Sequence, residues 1–146
     1  MYYNETADVT LVNVDEVGVE YAKEEAFYIG RAVPNKGLSE SVLKNPHKVE
    51  DQSGDTEAER RMEAVLKYVE YLYDRMREQS AMQSAVNVAR GKVLVCWCEP
   101  ALCHGHVLAA HHAITERMGA IDMASPEVEE RVAETIKQQR RRAEAG

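Results

Sequence analysis

Nothing in this sequence is long and apolar enough to span a bilayer. The longest uninterrupted apolar run is Val93 to Cys98, against the ~20 residues a membrane helix needs. A basic start followed by an apolar stretch is also lacking, because the chain begins Met1-Tyr2-Tyr3-Asn4-Glu5, so the expected setting is the reducing cytoplasm. Positive charge is in short supply. Lys+Arg 18 against Asp+Glu 25 leaves a formal charge of -7 and a pI near 5.3, which excludes non-specific coating of nucleic acid as an expected role. Cysteine is absent outside one short stretch. Cys96, Cys98 and Cys103 fall within eight positions, and an odd, tightly grouped set is one site and not a disulfide framework. Internal repeats and low-complexity tracts are missing too.

What is present suits one small domain. The 146 residues are 45% hydrophobic and 29% charged, which rules out disorder throughout and fibrous or collagen-like structure. Acid is concentrated early: residues 1–55 carry 11 acidic and 5 basic side chains, and residues 56–146 carry 14 and 13. A local basic pocket is compatible with that distribution.

Two β-branched or aromatic runs, Val9 to Val14 and Phe27 to Gly30, read as short buried strands. Residues 31–55 contain Pro34, Gly37, Pro46 and Gly54 without apolar period, a long irregular connection of the kind that carries function. Thr56-Glu57-Ala58-Glu59 is a capping box. Met62, Val65, Leu66, Val69, Leu72, Tyr73 and Met76 then form an amphipathic stripe, continued through Met82, Ala85, Val86 and Ala89 to a stop at Gly91, so a helix is predicted over 56–90. Val93-Leu94-Val95 follows as the central strand. Further helices are predicted over 103–118, with Cys103 in its first turn, and over 126–143, opened by Ser125-Pro126-Glu127. The last has a thin apolar face of Val128, Val132 and Ile136, suited to draping over the core or to meeting a second copy of the chain. The fold class expected is α/β, with residues 1–124 as the domain and 125–146 as its helical extension.

A strand, a sharp turn at Pro100 and a helix place a ligand crevice at the carboxyl end of a sheet. Period-two alternation sends Cys96 and Cys98 to one face of the strand and Trp97 to the other, and Cys103 returns on the inward stripe of the helix. Cys98, Cys103 and His104 are expected to converge there.

These residues resemble a known family, the domain of unknown function 4326, through Tyr28-Ile29-Gly30-Arg31, Asn45-Pro46, Gly91-Lys92 and above all Cys96-Trp97-Cys98-Glu99-Pro100-Ala101-Leu102-Cys103-His104-Gly105. The similarity runs over roughly residues 9–115. It implies a small Rossmann-like domain, common in phage and prokaryotic genomes, and brings no established reaction with it. His106 stands where the family commonly has an Asp, and the stretch before Asn45 is longer. The resemblance also draws Gly30 and Asn45 towards the site.

Three readings of the segment are open. In one, Cys96, Cys98, Cys103 and His106 hold zinc, since four thiolate and imidazole ligands close a tetrahedron. In another, the N–H groups from Cys103 to Gly105 cradle a small anion such as a nucleotide at a helix start, where the dipole favours negative charge. Gly105 would allow close approach and Arg31 would clamp the anion. Gly30, Asn45 and Cys98 complete that ligand-binding set, with Cys103 as nucleophile and His104 as acid or base; a thiol redox protein is a separate alternative. In the third, the cysteines are small buried hydrophobes, Trp97 is a core aromatic and His104 packs locally. His47, His111 and His112 are read as solvated or packed, and Tyr68, Tyr71 and Tyr73 as helix packing.

Overall fold

The computed structural model describes residues 10–24, 26–90, 92–97, 102–119 and 122–145. Its centre is a three-stranded parallel sheet in the order β1-β3-β2, formed by β1 (Thr10–Asn13), β2 (Phe27–Tyr28) and β3 (Val93–Cys96). Leu11 pairs with Leu94, and Phe27 also pairs with Leu94 from the other side. β3 is therefore central, as its unbroken apolar run requires of a strand covered on both faces. Alternation along β3 sorts the core. Leu94 and Cys96 enter the larger apolar cluster, whereas Val95 and Trp97 join a smaller one with Val14, Ala22 and Leu38.

The larger face is covered by α3 (Glu57–Glu78), α4 (Ser80–Val88), α5 (His104–Met118) and α6 (Pro126–Ala145). The smaller is covered by α1 (Val14–Val17) and α2 (Val19–Glu24). These two short helices replace the expected end of the first strand at Val14. Asn13 accepts the Asp15 N–H through its side chain at 2.8 Å, and Asp15 and Glu16 suit the positive end of a helix dipole. Gly18, at φ +89°, turns the chain between α1 and α2.

α3 starts where the capping box predicts. Thr56 Oγ1 accepts from the Glu59 N–H at 3.1 Å, and the Glu59 carboxylate reaches back to the Asp55 N–H at 2.9 Å. The predicted stripe is buried except for Leu66 and Ala85, which are half-buried. The single helix over 56–90 is not observed, because the chain becomes extended at Gln79 (φ -135°, ψ 115°). At about 100° per residue, a straight helix would set Met82 some 120° round from Met76. The break lets both bury, and Gln83 Nε2 donates to the freed Met76 carbonyl at 2.7 Å. Gly91, the expected stop, lies outside the described residues.

α6 packs on α3 and α5. Val128, Val132 and Ile136 are each fully buried within this one chain, so its thin apolar face completes the domain's own core. No helix among the described residues is long and apolar enough to cross a membrane.

Candidate functional site

A cavity of about 420 Å³ opens at the carboxyl ends of β2 and β3. Gly30 and Arg31 enter it from the end of β2, and Cys96 and Trp97 from the end of β3. Leu102, Cys103 and His104 enter from the start of α5. The long connection adds Asn45, His47 and Glu50, and the first turns of α3 add Glu57, Arg60 and Arg61. Parallel strands all release their chains at one edge, and that edge is where this crevice forms.

His104 is fixed at the floor. Its Nε2 lies 2.7 Å from the Ile29 carbonyl oxygen, which can only accept, so Nε2 carries the proton and Nδ1 the lone pair. Burial pushes its pKa down to about 4, opposed by the bond to Ile29 and aided by the charge of Arg31. At neutral pH the ring is an uncharged acceptor. Tyr68 stacks edge-on against it, with centroids 5.1 Å apart, and donates its hydroxyl to the Leu43 carbonyl at 2.7 Å. Burial raises the Tyr68 pKa, so the phenol stays protonated as that donor.

Cys103 is the N-cap of α5, immediately ahead of the first turn in which the sequence places it. Its N–H donates to His106 Nδ1 at 2.9 Å, the imidazole acting as the acidic partner does in a capping box. Cys103 Sγ lies 3.4 Å from Cys96 Sγ. Among the described residues no hydrogen bond joins Cys103 to His104, so the structure does not assemble them as a nucleophile and its base.

Several expected roles are therefore corrected. Gly105 does not line the cavity: a Cβ there would meet Leu11 Cδ1 at 2.5 Å and Ile29 Cδ1 at 3.0 Å, so the glycine lets α5 approach the sheet. The Cys103 amide is engaged by His106 and is not free to cradle an anion. Asn45 lines the cavity, but its amide donates to the Ala64 carbonyl at 3.1 Å and accepts the His47 N–H at 2.9 Å. It anchors the connection. Of the four expected zinc ligands, Cys98 lies outside the described residues with Pro100, and among the described residues no three Cys, His or acidic groups come together as a metal site. Cys96 and Cys103 do meet.

Arg31 is exposed and donates one guanidinium N–H to the Asn45 carbonyl at 2.9 Å, leaving the rest of its fork open. The sequence reading missed Arg60 and Arg61. Arg60 donates to the Gly54 and Asp55 carbonyls, and Arg61 pairs with Glu57 at 3.5 Å. Their signal was positional: two arginines within a turn and a half of a helix N-terminus oppose the dipole. Trp97, a core aromatic only in the third reading, is half-buried against the smaller apolar cluster and also forms part of the cavity wall. Its Nε1 donates to the Tyr28 hydroxyl at 2.8 Å, which donates to the Arg31 carbonyl at 2.6 Å, and Lys36 sits 5.8 Å over its ring.

A family model described as Domain of unknown function (DUF4326) matches residues 12–113, well over half of the chain. The chain belongs to that family. Both strand ends that build the cavity, and the whole Cys96 to His104 segment, fall inside the matched span of this DUF4326 domain, whereas α6 falls outside it. No curated protein and no solved structure matches the chain.

Proposed function

We propose that this domain binds a small anionic ligand of nucleotide size in the cavity at the carboxyl edge of its sheet. The observation that carries this reading is the convergence of Arg31, Arg60 and Arg61 on one cavity of about 420 Å³, within the ~300–1,000 Å³ range of small-molecule sites. In a chain of net charge -7 long-range attraction for an anion is poor, so affinity must come from these local guanidinium donors. Glu50 and Glu57 on the same wall favour a ligand that also brings hydroxyl donors, as a ribose phosphate does. The flat ring of Trp97 offers a base an apolar surface. If the domain catalyses a reaction on that ligand, His104 is the proton acceptor through Nδ1. The Rossmann-like description and a reducing, cytoplasmic setting belong to this same proposal, supported by the parallel strand order and by an odd set of cysteines confined to one short stretch, unlike a disulfide framework.

Calorimetric titration with nucleoside mono- and diphosphates and with inorganic phosphate tests it. Wild type should bind a phosphate-bearing nucleoside, and Arg31→Ala should bind it at least about tenfold more weakly, the loss of one charge-assisted hydrogen bond of about 1.5 kcal/mol. Equal affinity in the two proteins would remove Arg31 from the site.

A further inference from the structure

Cys96 ends the central strand and Cys103 caps α5, so the two thiols belong to different elements and meet only because the chain reverses between them. Their sulfurs lie 3.4 Å apart. Both are almost fully buried from bulk solvent, at 1% and 3% exposure, yet both lie on the wall of the cavity. A small oxidant that enters the cavity therefore reaches two thiols already side by side, whereas a bulky reagent outside does not.

We propose that Cys96 and Cys103 form a reversible thiol/disulfide site, oxidised by a peroxide that enters the cavity. Each thiol loses its hydrogen, one S–S bond forms, and the O–O bond of one hydrogen peroxide breaks to give two water molecules. A low-molecular-weight dithiol reverses the change, reducing the bridge and leaving as its own disulfide. A disulfide requires an S–S distance of about 2.05 Å, so the sulfurs must close by more than 1 Å. One anchor is the end of β3, beside Trp97, and the other is the cap of α5, beside His104. Oxidation therefore moves the cavity wall itself.

The site is independent of what the cavity binds, and so is its test. In Cys98→Ser only this pair of cysteines remains. After brief treatment with stoichiometric hydrogen peroxide, the intact mass of the folded variant should fall by two hydrogens. Thiols titrated after denaturation should drop from two to none, and dithiothreitol should restore both. The emission of Trp97, the chain's single tryptophan, should change with the same time course. In wild type, cleavage after Trp97 and after Leu102 separates the three cysteines, so the bridged fragments identify the pair without any substitution. Retention of both thiols in Cys98→Ser, a gain of oxygen mass, a cross-linked dimer, or a bridge to Cys98 in wild type would each overturn the proposal.

Discussion

His104 donates through Nε2 to the carbonyl oxygen of Ile29 at 2.7 Å, tying the first turn of α5 to the strand end that leads into Arg31. The same contact fixes the tautomer and leaves Nδ1 as the acceptor. In an NMR titration His104 should stay neutral, with Nε2 protonated, from pH 8 to below 5, and should titrate near its depressed value of about 4. An ordinary titration near 6.5 would show that the ring is not buried against Ile29.

Three more histidines share that depression. Burial, with neighbouring positive charge, lowers His111 to about 3 and His112 to about 4, and burial lowers His106 to about 4. For a group whose folded pKa lies below its unfolded value near 6.5, the unfolded state takes up protons first as pH falls. Stability is thus complete above about 6.5 and is lost progressively below it, by up to about 1.4 kcal/mol per pH unit for each such histidine. Urea denaturation at pH 7.5, 6.0 and 5.0 should show a steep fall; a flat profile over that range would contradict the burial of these rings.

His112 sits fully buried; neither ring nitrogen makes a hydrogen bond of good geometry among the described residues, and an interaction with the Val86 backbone only partly offsets the burial of the ring. An apolar side chain of similar size should do better there, since an unmet buried polar group costs about 1–3 kcal/mol. His112→Leu is expected to be as stable as wild type at pH 7.5 and more stable at pH 5. Greater loss at pH 5 than in wild type would contradict this.

Gly105→Ala separates two roles for the glycine. Gly105 sits in the first turn of α5, where alanine gains less than the about 1 kcal/mol it gains over glycine in a helix interior, and the new Cβ would press on Leu11 and Ile29. Overpacking costs about 1–3 kcal/mol, and the expected outcome is a lower melting temperature with anion affinity changed little. A stabilised variant would place the glycine away from the sheet.

Tyr68→Phe removes the donor to the Leu43 carbonyl inside the core. The cost is about 1–2 kcal/mol, and it should fall on residues 31–55, which lean on Leu43 and Asn45. Limited proteolysis should cut this connection faster in the variant than in wild type, and an unchanged pattern would show that Tyr68 does not hold it.

The parts of this fold written in local chemistry were legible in the sequence. Thr56 and Glu59 announce α3, Cys103 falls at the cap of α5, and Val93-Leu94-Val95 reads as the central strand. The regions that depend on long-range packing were not. Val14 is β-branched and looks like strand, and only the Asn13 cap with Asp15 and Glu16 shows it opening a helix. The break at Gln79 has no glycine or proline to mark it and arises from the need to bury Met76 and Met82 together. Gly105 looked like ligand access because no sequence shows that Leu11 and Ile29 lie across from it. Arg60 and Arg61 sit some 30 residues from Arg31 in the chain, so their shared cavity appears only once α3 is folded against the strand ends.

The most direct measurement is a crystal structure of the protein grown with a nucleoside monophosphate at saturating concentration. The phosphate should lie within hydrogen-bond distance of Arg31 and of Arg60 or Arg61, with the base against Trp97 and the sugar towards Glu50 or Glu57. A cavity left empty at that concentration, or a nucleotide bound elsewhere on the molecule, would contradict the account.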